Sequence, residues 1–254
     1  MELFDLTEKT ALITGGNGGL GLGMAKGLST HGCEVILVGR NQLKLDSAIE
    51  EINSIGKGKA HGLIADVNNS EDLKEVVNDS VKVTGQVDIL INNAGISIRK
   101  QPEDLSDDDW DNVLNTNLRS VFKLSRMMYG HFKTTGHGKI INIGSMYSIF
   151  GSDWVLPYSA SKGAIIQLTK SLAVAWAKDN IQVNAIIPGW FETELTASIP
   201  TLDPERYNKI TNRIPVGKWG TPQEIAGTAV FLSSCSSDYV TGTSVIVDGG
   251  YSAS

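Results

Sequence analysis

The hydroxyl of Ser145, the phenol of Tyr158 and the ammonium of Lys162 are the side chains here with the clearest chemical potential. Tyr158 and Lys162 stand four residues apart behind Pro157, a residue favoured in the first turn of a helix, so the spacing predicts one helix face one turn apart. A free tyrosine loses its proton near pH ~10, and a neighbouring positive charge favours phenolate and lowers that value. The pair is therefore a candidate acid and base near neutral pH. The same spacing also arises by chance on surface helices, so the elements around it must decide.

Those elements alternate. Short apolar runs at Thr10–Thr14, Val35–Val38, Gly62–Ala65, Val87–Ile91, Lys139–Ile143, Gln182–Ile187 and Ser244–Val247 are separated by segments of helical length and amphipathic pattern. Such alternation is the mark of βαβ units, and runs apolar at consecutive positions fit strands covered by helices on both faces. The pattern predicts an α/β fold, a Rossmann-like doubly wound sandwich with a seven-stranded parallel sheet. No linker or repeat interrupts it, so residues 1–254 are expected to form a single domain. The irregular stretch from about 190 to 218 carries Pro200, Pro204 and Pro215 with Trp190, Phe191 and Tyr207. It is expected to be a substrate loop beyond the carboxyl ends of the strands, or else a plain packing loop.

The first strand runs into Thr14-Gly15-Gly16-Asn17-Gly18-Gly19-Leu20-Gly21, and Met24, Ala25 and Leu28 then give helical spacing. Strand, glycine turn and helix make a phosphate cradle, because Cβ atoms would keep backbone N–H groups away from a pyrophosphate at the helix N-terminus. Both the frame Gly16, Gly18, Gly21 and the frame Gly15, Gly19, Gly21 fit, so Gly15, Asn17, Gly19, Leu20 and Gly21 are candidate cofactor residues. The second strand ends at Val38-Gly39-Arg40, where a site for NAD usually offers a carboxylate to the ribose. Arg40 suits a 2′-phosphate instead, which favours NADP over NAD; the bland alternative is a solvated arginine at a helix start. Asp66 and Val67 follow the third strand, where Asp66 either binds the adenine amino group or caps the next helix.

Composition narrows the partners. The chain is 254 residues long, 41% hydrophobic and 20% charged; its formal charge of −6 and its lack of the clustered cations that phosphate binding needs argue against a nucleic-acid partner. Two cysteines, Cys33 and Cys235, are too few for a disulfide framework and fit a cytoplasmic protein. Neither a signal sequence nor an apolar run of membrane length is visible, so neither secretion nor a membrane span is expected. The four histidines lack metal-ligand spacing, so no metal site is expected.

With these motifs placed, the chain resembles the short-chain dehydrogenase/reductase family over nearly its whole length. The resemblance rests on Thr14 to Gly21, Asn92-Asn93-Ala94-Gly95, Asn117, Ser145 thirteen residues before Tyr158, Pro188-Gly189 followed by Thr193, and Val247-Asp248-Gly249-Gly250. It implies a hydride moved between a nicotinamide and a secondary alcohol or carbonyl. It further implies that Ser145 holds the substrate oxygen and that Tyr158 gives or takes the proton. Lys162 is implied to lower the tyrosine pKa and bond the nicotinamide ribose. Asn117 is implied to hold a water that relays protons from Lys162, against the alternative of a structural amide that kinks its helix. Asn93, Ala94 and Gly95 are expected along the cofactor, with Pro188, Gly189 and Thr193 at the nicotinamide. Two departures stand out: Gly18 replaces a basic residue common in NADP-dependent relatives, and isoleucines precede Pro188 where smaller residues are common.

Met146, Trp154 and Trp190 are the expected substrate neighbours besides Ser145 and Tyr158, together with Ile96, Ser97, Ile149 and Phe191. The phrases Ile141 to Met146 and Arg213 to Gly220 resemble sugar-acid and polyol dehydrogenases, and they also occur among ketone and ketoacyl reductases. Arg99 or Lys100 is the candidate for a substrate carboxylate. Long apolar stripes over Asp107–Phe132 and Tyr158–Lys178 imply, by the same resemblance, a homotetramer. A cofactor-binding regulator without turnover is the competing class, and the intact set Asn117, Ser145, Tyr158 and Lys162 argues against it.

Overall fold

Seven apolar runs assemble into one parallel sheet in the computed structural model, which describes residues 3–254. The strands are β1 (Thr10–Thr14), β2 (Glu34–Gly39), β3 (Ala60–Ile64), β4 (Ile89–Asn92), β5 (Gly138–Ile143), β6 (Ile181–Pro188) and β7 (Ser244–Val247). Their order is β3-β2-β1-β4-β5-β6-β7, the doubly wound arrangement, with the chain reversing direction across the sheet between β1 and β4. The helices that return the chain are α1 (Gly19–Thr30), α2 (Gln42–Ile55), α3 (Ser70–Thr84), α4 (Asp107–Leu114), α5 (Ser120–Thr135) and α6 (Leu156–Trp176). After β6 come α7 (Ile199–Leu202), α8 (Pro204–Arg213) and α9 (Ala226–Ser233). None among the described residues is long and apolar enough to cross a membrane.

The side-chain period of two assigns the faces. Ala11, Ile13, Val35, Leu37, Ile89, Ile91 and Ile141 pack on one side with α1, α2 and α9. Leu12, Ile36, Leu90, Ile140 and Val183, one residue out of phase, pack on the other with α3, α5 and α6. Every side chain of β1, β4 and β6 is buried, which is why these runs read as continuous apolar stretches in the sequence. The edge strands carry a weaker signal. In β3 buried Ala60 is followed by partly or well exposed residues, and the strand lies two residues earlier at its start than the apolar run Gly62–Ala65 suggests.

The expected long helix from Asp107 to Phe132 is interrupted. Between α4 and α5 the five residues Asn115–Arg119 form a π turn, centred on Asn117. An inserted turn of this kind rotates the residues after it and lets a side chain leave the helix register.

The stretch expected as a substrate loop has its own small core. Ile210, Ile214 and Trp219 are buried against Trp190, Ile199, Tyr207 and Tyr251. Trp219 lies 2% exposed with its indole N–H donating to Thr211 Oγ1 at 3.0 Å. Burying a large apolar side chain is worth about 1.5–3 kcal/mol, so α8 is held by packing against Trp190 and Tyr251, just beyond β6 and β7, and not by chain connectivity alone.

Candidate active site

The carboxyl ends of β1, β4, β5 and β6 open into a cleft of about 840 Å³. At its floor the turn after β1 leads into α1, whose extended N-cap is Gly18 and whose first turn holds no acidic side chain. Gly18, Gly19 and Leu20 line the cleft, so the first N–H groups of α1, which lack carbonyl partners within the helix, face it. A Cβ at Gly21 would fall 2.1 Å from the carbonyl oxygen of Gly15 and 2.6 Å from Asn93 Nδ2. The turn therefore closes as tightly as it does only because that carbon is missing. The carboxamide of Asn93 donates to the carbonyls of Thr14 at 3.1 Å and Gly15 at 3.0 Å, tying β4 to the turn. The Thr14 hydroxyl accepts from the N–H groups of Asn93 and Ala94. Such a concave array of backbone donors fits a pyrophosphate.

Further along the cleft come Ser145, just beyond β5, and Tyr158 and Lys162 on α6, with Pro157 in the first turn as expected. Ser145 Oγ accepts from the Tyr147 N–H at 3.2 Å and so is held at the start of a short turn. Tyr147 meets the Tyr158 ring edge-on with centroids 6.1 Å apart and meets Trp190 in the same way at 6.1 Å. Lys162 is buried, and its ammonium donates to the Ile143 carbonyl at 2.7 Å while lying 5.6 Å from the centre of the Tyr158 ring.

The electrostatics differ from the sequence expectation. Burial is the largest influence on Tyr158 and pushes its phenol above the ordinary value; the Ser145 hydroxyl lowers it and Tyr147 raises it. Burial likewise pulls Lys162 down from 10.5 to about 8. The ammonium is engaged with a carbonyl and stands off the ring face, so it does not offset the desolvation of the phenol. In this geometry Tyr158 is a protonated donor at neutral pH.

Asn117 is fully buried, and its side chain is already committed. Its Oδ1 accepts from the Ile96 N–H at 2.8 Å, and its Nδ2 donates to the Ile96 carbonyl at 2.9 Å and to Ser161 Oγ at 3.1 Å. The amide thus clamps the segment after β4 to α6, and the π turn is what frees it to do so. A Cβ on Gly95 would stand 3.2 Å from Asn117 Oδ1 and 3.7 Å from Lys162 Nζ, so the three residues meet at one point of the wall.

Of the expected cofactor residues, Gly15, Asn17, Gly19, Leu20, Asn93, Ala94, Gly95, Tyr158, Lys162, Pro188, Gly189 and Thr193 line the cleft. Thr193 sits over the glycine turn, its side chain 3.5 Å from where a Gly19 Cβ would be. Gly21 lies beneath the turn. Arg40, Asp66 and Val67 are not on the cleft wall: Arg40 is 72% exposed at the end of β2 and 3.9 Å from Asp66, which follows β3. Asp66 Oδ1 accepts from the Asn68 N–H, while the cap of α3 is Asn69, so Asp66 shapes the turn before the helix instead of capping it.

The expected substrate neighbours divide. Ser97, Met146, Trp190 and Phe191 line the cleft, whereas Ile96, Ile149 and Trp154 do not. Trp154 instead lies under the Arg99 guanidinium at 5.2 Å, and its carbonyl accepts from the Lys100 N–H, so it shapes the wall through Arg99. Arg99 reaches the cleft; Lys100 pairs with Asp109 at 2.5 Å and does not. Tyr147, close to Ser145, also lines the cleft, whereas Lys44, Asp203 and Arg206 were not legible as cleft residues, because nothing in their spacing ties α2 or the start of α8 to the ends of the strands. The hydroxyl, the phenol and a dinucleotide-sized trough can together hold a carbonyl or alcohol oxygen beside a proton donor.

A family model described as enoyl-(acyl carrier protein) reductase matches residues 15–252. The 2-dehydro-3-deoxy-D-gluconate 5-dehydrogenase of Dickeya dadantii is 44% identical over 254 residues, 100% of this chain and 99% of the relative. The gluconate 5-dehydrogenase of Gluconobacter oxydans is 40% identical over 253 residues, 100% and 98% of the two chains. A crystal structure of a gluconate 5-dehydrogenase from Burkholderia cenocepacia, in complex with NADP and tartrate, superposes with a TM-score of 0.94 at 35% identity, covering 100% of this chain and 98% of that one.

Proposed function

The chain belongs to the short-chain dehydrogenase/reductase family and is an NAD(P)-dependent oxidoreductase acting on CH–OH groups, and from that premise we propose that it interconverts a sugar acid and its keto form, using NADP. The observation that carries this reading is the continuity of the cleft, which runs from the glycine turn past Ser145, Tyr158 and Lys162 to the cationic rim at Arg99. Relatives at 40–44% identity bear the names of gluconate and deoxygluconate dehydrogenases, and the related Burkholderia enzyme holds tartrate, itself a hydroxy acid.

The bound nicotinamide supplies the hydride acceptor or donor. Gly15 to Leu20 would hold the pyrophosphate, Asn93 to Gly95 would flank the nucleotide, and Lys162 and Thr193 would fix its nicotinamide end. Ser145 orients the substrate oxygen by a hydrogen bond. Tyr158 donates its proton to that oxygen during ketone reduction and must give the proton up before it can accept one from the alcohol. Lys162 faces the same point of the wall and is the group through which the phenol would be reprotonated. Asn117 positions the segment over which the cofactor lies, a role supported by its bonds to Ile96 and Ser161.

Arg40 supports NADP over NAD, since its exposed guanidinium stands at the end of β2 where a 2′-phosphate would be met. The exposed apolar residues Trp110, Phe122, Leu156 and Val174 on α4, α5 and α6 support a homotetramer. Two unpaired cysteines, one of them exposed, fit a cytoplasmic setting. Catalysis by one domain spanning 1–254, with residues 190–218 as substrate lid, fits the way α7 and α8 border the cleft.

The experiment is a substrate panel of D-gluconate, 5-keto-D-gluconate, polyols, simple ketones and β-ketoesters with both nicotinamide cofactors, followed by absorbance. Sugar-acid turnover exceeding that of the other classes is expected. A preference for β-ketoesters, as in the 3-oxoacyl reductases also related to this chain, would overturn the substrate assignment.

A further inference from the structure

Four cationic side chains line the cleft: Lys44, Arg99, Lys162 and Arg206. Three are engaged. Lys44 pairs with Glu194 across the mouth at 2.5 Å, Arg99 lies 3.8 Å from Asp203, and Lys162 donates to the Ile143 carbonyl. The remaining one is Arg206, which faces no carboxylate within ion-pair distance among the described residues and whose guanidinium makes no hydrogen bond there. The nearest acid by sequence, Asp203, is committed: its Oδ1 accepts the Arg206 backbone N–H at 3.2 Å and caps α8, and its Oδ2 faces Arg99.

Arg206 is nevertheless held in place. Its guanidinium lies 5.6 Å from the centre of the Trp190 ring, a cation–π contact that orients the planar fork. The indole N–H of Trp190 is itself buried and has no acceptor among the described residues. A buried N–H without an acceptor is costly unless something accepts from it, and the same ring carries a partly exposed guanidinium whose donors are likewise free for a ligand. Trp190 meets Tyr147 edge-on and Tyr147 meets Tyr158 in the same way, so these rings form one wall leading from the reacting phenol to Arg206. The cation therefore adjoins the end of the wall away from the reacting phenol, with the rings of Tyr147 and Trp190 between them.

We infer that Arg206 is a specificity-determining residue that binds the carboxylate of the substrate at the end remote from the reacting carbon. The inference rests on the sugar-acid reading above and deepens it. A planar guanidinium matches a carboxylate bidentately, and a lid helix that carries this cation couples lid position to the charge of the substrate. A neutral polyol makes no use of it.

The test compares wild-type enzyme, Arg206→Ala, Arg206→Lys and, as a control on the exposed face of the same helix, Lys209→Ala. Each is assayed with D-gluconate and with its neutral amide. Each is also titrated with tartrate in the presence of saturating NADP, by calorimetry. For Arg206→Ala the KM for gluconate is expected to rise about tenfold to a hundredfold with kcat within about threefold. The KM for the amide and the affinity for NADP stay within about twofold, tartrate binding weakens in parallel with gluconate, and Arg206→Lys recovers part of the loss. Lys209→Ala matches wild type. Equal losses for acid and amide, a loss of NADP affinity of the same size, or unchanged gluconate and tartrate binding would each overturn the assignment. If the wild type turns over no sugar acid yet binds tartrate in an Arg206-dependent way, the substrate reading fails while the anion site stands; tartrate binding indifferent to Arg206 sinks the site itself.

Discussion

Replacing Asn117 by alanine tests the part of the site that depends most on tertiary structure. The substitution removes three hydrogen bonds, two to the backbone of Ile96 and one to Ser161. At about 1 kcal/mol net for each, the loss amounts to roughly 3 kcal/mol. Two features keep it from growing to the full cost of orphaned polar groups. Ile96 is partly exposed, so its N–H and carbonyl can regain water, and the Ser161 hydroxyl keeps its own bond to the Tyr158 carbonyl at 2.7 Å. For a chain of this size about 1 kcal/mol moves Tm by roughly 2–4 °C, which gives an expected drop of about 6–12 °C. Thermal unfolding followed by circular dichroism reads this directly, with NADP affinity and kcat/KM measured on the same samples. Because the freed segment carries Gly95 against Lys162, kcat/KM is expected to fall at least about tenfold as well. Ser161→Ala and the double variant complete a cycle whose coupling should be about 1 kcal/mol, the worth of the shared bond. An Asn117→Ala protein that melts within about 2 °C of wild type would refute the clamp. If its activity still collapsed, a proton-relay role alone would remain.

Tyr158→Phe should retain NADP affinity and lose kcat by about 10²–10⁴-fold, since only the donor oxygen is gone; wild-type turnover in that variant would falsify the assignment of the phenol. Because burial holds Tyr158 protonated, ketone reduction is expected to be fast through neutral pH and alcohol oxidation to climb into the alkaline range, so a flat oxidation profile from about pH 7 to 10 would remove the phenol as base. Burial holds Lys162 at about 8 against 10.5, so between those values the unfolded chain keeps a proton the folded chain has shed, and stability rises with pH. The rise is worth up to roughly 3 kcal/mol. Urea unfolding at about pH 7, 8, 9 and 10 should show it for wild type and not for Lys162→Met, and parallel curves for the two proteins would contradict the buried, low-pKa lysine. Arg40→Ala should raise the KM for NADP at least about tenfold while changing that for NAD little, and equal losses would take Arg40 out of cofactor selection. Sedimentation in the micromolar range should give a tetramer, and a monomer there would leave the apolar faces of α4, α5 and α6 without their proposed partner.

The strands and their order of appearance were legible because the central ones are buried on both faces, and a short, continuously buried run such as Thr10–Thr14 or Ile89–Asn92 fits a covered parallel strand far better than a helix of that length. The glycine turn was legible for a related reason. A Cβ at Gly21 cannot coexist with the Gly15 carbonyl, so the local backbone demand is written in the residue type itself. The spacing of Tyr158 and Lys162 behind Pro157 was likewise local, one turn of one helix. What local pattern does not carry is the direction of a charge effect. The lysine beside Tyr158 looked sufficient to lower the phenol, and it took the packing of both side chains to reveal that burial outweighs it. Nor does it carry contacts between segments far apart in the chain. Asn117 reaching Ile96 and Ser161 from a π turn, Trp154 serving Arg99 from outside the cleft, and Arg206 standing over Trp190 each join elements with no fixed sequence relation. Sequence by itself thus determined the sheet, the tight glycine turn and the spacing of the groups proposed to react, all of which depend on local geometry. Only the tertiary structure decided which cations face the cleft without a partner and in which protonation state the phenol rests, because both depend on what surrounds a side chain and not on what precedes it.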